Sequence, residues 1–99
     1  MQTIRQGDLV LVAAADLDAD FGATQPQTLA IGEESGHSHV LTGALAEVEG
    51  RRFIRLDQAD ELRVEGMPWR HDPITVPAGV WEVRVQREYT PEGIRQVMD

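Results

Sequence analysis

Along most of the chain, apolar residues alternate with polar ones or gather in short runs, and turn formers divide these stretches about every eight to twelve residues. The clearest case is Val80 to Tyr89, where Trp81, Val83 and Val85 alternate with Glu82, Arg84 and Gln86, the pattern of a strand with one buried face. Continued parity puts Arg87 and Tyr89 at the end of the inward row, where their polar tips belong at a pocket rim. Met1 to Ala15 reads as an opening extended stretch broken at Gly7-Asp8, and its run Leu9-Val10-Leu11-Val12 suits a strand buried on both faces. Residues 15–27 are acidic and turn-rich, and a strand restarts at Thr28-Leu29-Ala30-Ile31.

A strand through His37 to Leu41 is predicted to end at Thr42-Gly43. Leu45 to Val48 and Arg51 to Leu56 follow, joined at Glu49-Gly50 as a hairpin with glycine at its second turn position. Arg51, Phe53 and Arg55 share one face of the second strand and Arg52, Ile54 and Leu56 the other, which leaves open which is buried. Asp57 to Glu61 predicts one helical turn capped by Asp57. Extended structure resumes at Leu62-Arg63-Val64 and Ile74-Thr75-Val76, and Ile94 to Met98 can add a last strand. The expected fold is all-β, a small barrel or jelly-roll sandwich with at most one short helical turn.

Ninety-nine residues make one domain, 1–99, which buries roughly 60–70% of the surface its unfolded chain exposes. The absence of cysteine removes disulfides and thiolate metal sites, and the absence of lysine removes Schiff-base chemistry. A formal charge of −8 argues against a surface that tracks nucleic-acid phosphates. There is no apolar stretch long enough to span a membrane and no signal-peptide layout, so a cytoplasmic protein with no membrane partner is expected.

The chemistry concentrates in three histidines. Strand periodicity puts His37, His39 and Leu41 on one face, and a sheet folding back on itself brings His71 to them. Three imidazoles suit a divalent transition metal such as zinc, iron, manganese or nickel, with an open position for a ligand or water. Glu33, Glu34 and Asp72 are the carboxylates at hand; Glu33 is the best placed, because the Ser35-Gly36 turn can return it toward His37. The competing reading makes the histidines hydrogen-bonding residues of strands and turns. Arg87 could clamp a small anionic ligand with Tyr89 donating a hydrogen bond, or instead pair with a loop carboxylate. Asp16, Asp18 and Asp20 do not make a calcium loop, since Phe21 and Gln27 stand at the sixth and twelfth positions. No nucleophile elbow or phosphate-binding glycine loop is present.

Pro77-Ala78-Gly79 resembles the Pro-x-Gly turn of cupin barrels, but the glutamate after the paired histidines and the histidine after the turn are missing, so the likeness to cupins is architectural. Several stretches together resemble a family of short, largely uncharacterised proteins of bacteria and their phages: Ile4 to Leu9, Gly32-Glu33 with Gly36-His37-Ser38-His39, His71 with Pro73-Ile74 and Pro77-Ala78-Gly79, Gln86-Arg87-Glu88-Tyr89 with Pro91, and Val97-Met98-Asp99. Members often carry an acidic residue directly before the histidine that matches His71, whereas Trp69-Arg70 stands there in this chain. The leading expectation is a binding protein with a three-histidine pocket for a metal and a small anionic ligand, more in keeping with a non-enzyme. The alternatives are a metal-free acidic interaction or adaptor module in a bacterial or phage assembly, as a homo-oligomer or with a protein partner, and a metal-dependent hydrolase or oxygenase.

Overall fold

Two tight reversals with left-handed backbone set the register of the sheet. Gly7, at φ 62°, opens the two-residue turn between the first two strands, and Glu49 and Gly50, at φ 53° and 78°, make the other. The protein is described here by a computed structural model that covers residues 2–15, 17–31, 37–66 and 71–86. Its strands are β1 (Thr3–Gln6), β2 (Leu9–Ala13), β3 (Gln25–Ile31), β4 (Ser38–Val48), β5 (Arg51–Leu56), β6 (Asp60–Glu65), β7 (Ile74–Val76) and β8 (Gly79–Val85). All pair antiparallel in the order β1-β2-β8-β5-β4-β6-β7, with β3 also on β4, and the sheet curls into a nearly closed barrel. Among the described residues there is no helix long and apolar enough to cross a membrane.

β4 does the most to shape this barrel. Its second half, Ala44–Val48, pairs with β5, while Ser38–Val40 lies between β3 and β6. The expected interruption at Thr42-Gly43 is therefore absent, and the strand runs through it for eleven residues. Gly43 is needed for close approach: a Cβ there would lie 2.8 Å from the Arg55 carbonyl oxygen and 2.8 Å from Ile54 Cγ1. On β3 a bulge between Thr28 and Ala30 leaves Leu29 out of the ladder, and Arg52 Nη2 donates to the Leu29 carbonyl at 3.0 Å.

The core lies inside the barrel. Leu9, Leu11, Leu41, Ile54, Leu62 and Val76 are fully buried, joined by Trp81, whose indole N–H donates to the Pro77 carbonyl at 3.0 Å. The question left open by β5 is resolved, with Ile54 and Leu56 facing this core. Truncating one of these leucines to alanine costs about 2–5 kcal/mol. The helical turn expected at Asp57 to Glu61 does not form: residues 57–59 are an irregular link and Asp60 and Glu61 open β6, whose Leu62 gains full burial only in a strand. β3 also begins earlier than expected, at Gln25, and Pro26 is tolerated there because β3 pairs only with β4 among the described strands. The link before it packs on the barrel, with the Gly22 N–H on the Leu45 carbonyl at 3.0 Å and Phe21 beneath the Arg55 guanidinium at 4.7 Å. The described part of the last long strand ends at Val85; the strand expected over Ile94 to Met98 lies outside the described residues.

The outer face of β8 carries a buried charge. Glu82 lies between Val12 and Phe53 in register and is 4% exposed. Arg51 holds its carboxylate through two hydrogen bonds of 2.8 Å, from Nε and Nη2, and Arg84 Nη2 adds a third at 2.8 Å. The hydrogen bonds from Arg51 lead, with help from Arg84, and they outweigh burial, so the carboxyl group drops from 4.5 to about 2.

Two predictions follow from this packing. Gly43→Ala keeps the backbone conformation accessible but forces β4 off β5, so the urea midpoint should fall by the equivalent of about 1–3 kcal/mol; an unchanged midpoint contradicts the close approach. Glu82 contributes stability that is complete above about pH 4.5 and lost as pH falls through about 2, because its folded value is depressed. Acid titration of stability should thus be shallower in Glu82→Gln than in the wild type across that window, and parallel curves would remove Glu82 from the account.

Candidate metal centre

Strand β4 is central where the histidines stand, since both of its edges are taken at Ser38–Val40. Alternation then sends His39 and Leu41 into the barrel, and His37, just before the strand, follows the same parity. All three are fully buried. His71 enters from the segment before β7, half-buried, with its Nε2 shielded from solvent. The ring centroids are 5.4 Å apart for His37 and His39, 5.5 Å for His39 and His71, and 6.1 Å for His37 and His71. The sheet thus brings together residues more than thirty positions apart, as strand parity and a returning sheet predict.

One nitrogen from each ring lies within 4.8 Å of the others. A tetrahedral ion with metal–nitrogen bonds of about 2.0–2.1 Å needs its ligand atoms about 3.3 Å apart, so each must move inward by less than about 1 Å. Side-chain rotation supplies that. The donor set is three neutral nitrogen ligands, suited to borderline transition metals, and it leaves at least one coordination position for a further ligand. Among the described residues no carboxylate belongs to the group. Asp72, adjacent to His71, is exposed and does not join it, because the chain turns its carbonyl rather than its side chain toward the barrel. Glu33 and Glu34, and the rim residues Arg87 and Tyr89, lie outside the described residues.

The residue that sequence reasoning missed is Gln6. It stands at the end of β1 and is 3% exposed. Its Nε2 donates to the carbonyls of Leu62 on β6, at 3.1 Å, and of Asp72, at 2.9 Å. Its Oε1 meets His39 Nδ1 at 2.9 Å. The available signal was parity: Ile4 and Gln6 share a face, and an inward glutamine beside an apolar row requires buried partners. Asp8, in the turn between β1 and β2, is also fully buried, and its carbonyl accepts the Gln86 N–H at 2.8 Å, closing this end of the barrel.

A family model described as a domain of unknown function (DUF8820) matches residues 5–86. The match extends from β1 to the end of β8 and includes Gln6 and the three histidines. No curated protein and no solved structure matches the chain.

Proposed function

The chain belongs to the DUF8820 family, and we propose that it is a metal-binding β-barrel whose His37, His39 and His71 hold one divalent transition metal. The carrying observation is that three imidazoles, two of them fully buried, bring one nitrogen each within 4.8 Å of the others. Three imidazole nitrogens this close form a donor set that a single cation would satisfy. The formal charge of −8 favours cations around the protein, and three neutral ligands leave the metal's own charge uncompensated. A small anion, carboxylate or hydroxide is therefore the natural occupant of the open position, with Arg87 and Tyr89 as proposed contacts. Zinc, iron and nickel fit an all-nitrogen donor set better than manganese does.

A metal-dependent hydrolase or oxygenase is the weaker reading, since it would also need a general base, for which Glu33 and Glu34 are the candidates. A second reading, an interaction or adaptor module with a protein partner or a second copy, draws on β3. This strand pairs only with β4 among the described strands and ends at Ile31, which is 56% exposed. A complex or oligomer that survives chelation, in a protein that takes up no metal, supports this second reading.

Elemental analysis of protein purified without a histidine tag is expected to find close to one equivalent of a transition metal, removed by chelator and regained on reloading. Metal at about 100 times its Kd should add about 2.7 kcal/mol of stability, a rise of roughly 10–20 °C in Tm. His39→Ala should abolish that rise. Equal Tm values for wild type with and without metal would sink the reading.

A further inference from the structure

We propose that Gln6 is a positioning residue that holds His39 in its Nδ1–H tautomer, so that Nε2 is the nitrogen His39 offers to the centre. The inference rests on the metal reading above for its purpose, but its geometry stands in the metal-free protein. A primary amide has two N–H donors and one acceptor oxygen. The Leu62 and Asp72 carbonyls can only accept, so they claim the NH2 group and fix which way the amide faces. What meets His39 Nδ1 at 2.9 Å is then an oxygen that can only accept. His39 must be the donor. A neutral imidazole that carries its proton on Nδ1 has its lone pair on Nε2.

The same amide ties down two of the three ligands. It holds His39 directly, and it holds the carbonyl of Asp72, the residue next to His71. It does so across the seam of the barrel, from β1 at one end of the strand order to β6 and the segment before β7 at the other. The distance between ligands on β4 and before β7 is thus set by a side chain on a third element, and occupancy of the centre is linked to closure of the seam. A ligand that binds only the closed arrangement stabilises that arrangement in return.

Long-range 1H–15N correlation spectra of the metal-free full chain read the tautomer directly. The wild type should show His39 protonated on Nδ1. Gln6→Ala should lose that preference and bind zinc roughly 10–100-fold more weakly. Gln6→Glu retains an acceptor for the His39 N–H but cannot donate to both carbonyls, so the tautomer should persist while the amides of β1 exchange faster. An Nε2–H tautomer in the wild type, or an unchanged tautomer in Gln6→Ala, overturns the assignment. The wild-type spectrum decides even if a variant fails to fold. A wild type that binds no zinc but shows the Gln6-dependent tautomer would defeat the metal reading alone and leave the positioning role standing.

Discussion

A single side-chain amide continues the hydrogen-bonded ladder where the backbone does not. β1 ends one side of the strand order, and Gln6 reaches from it to β6, which lies between β4 and β7 near the other end, and donates to the Leu62 carbonyl with the chemistry of a peptide N–H. A buried carbonyl deprived of that donor costs on the order of 1–3 kcal/mol, which applies to Leu62, and Gln6 also donates to the part-buried carbonyl of Asp72. The oxygen left over has no choice but to accept, and the atom that meets it belongs to His39. Closing the sheet and orienting the imidazole are therefore one act. An apolar residue at this position could fill the space, but it could do neither.

The rest of the site depends on how β4 changes partners. Its glycine lets the strand press on β5 at Ile54 and Arg55, and the strand runs on without a break where a side chain would force the two apart. This continuity keeps His39 and Leu41 on the inside while Ala44 to Val48 belong to the neighbouring ladder. On the other flank the bulge at Leu29 sits opposite His39, and Arg52 caps the carbonyl that the bulge releases. The bulge is thus matched by a donor, so the strand bends beside the histidines with the Leu29 carbonyl satisfied.

Polar groups are buried on both faces, with different consequences. Inside, imidazoles and an amide interrupt an aliphatic core, and the three imidazoles bring nitrogens within 4.8 Å of one another, a group that could hold a metal ion. Outside, Glu82 is covered by two arginines that reach over from β5 and along β8, a local arrangement whose charges are already answered. The outer cluster pairs each of its charges with an opposite one; the inner one groups uncharged donors of the kind a metal ion takes. Burial alone does not distinguish them, but the nature of their partners does.

Much of this was legible in the sequence because strands write their faces with a period of two. The strand through Trp81, Val83 and Val85, the hairpin at Glu49-Gly50, and the shared face of His37, His39 and Leu41 needed only local geometry and hold, although the outer face of that first strand also buries Glu82. Propensity misled at Asp57 to Glu61, where a capping aspartate suggested a helical turn but the burial of Leu62 required a strand. It misled also at Gly43, since a glycine that ends a strand and one that lets two strands touch look alike in one dimension. The sequence by itself determined an all-β chain with His37 and His39 on one face of an extended stretch. Only the tertiary structure decided that His71 joins them, that Asp72 does not, and that Gln6 holds the group together, because these contacts link residues 32 to 66 positions apart, where no local periodicity reaches.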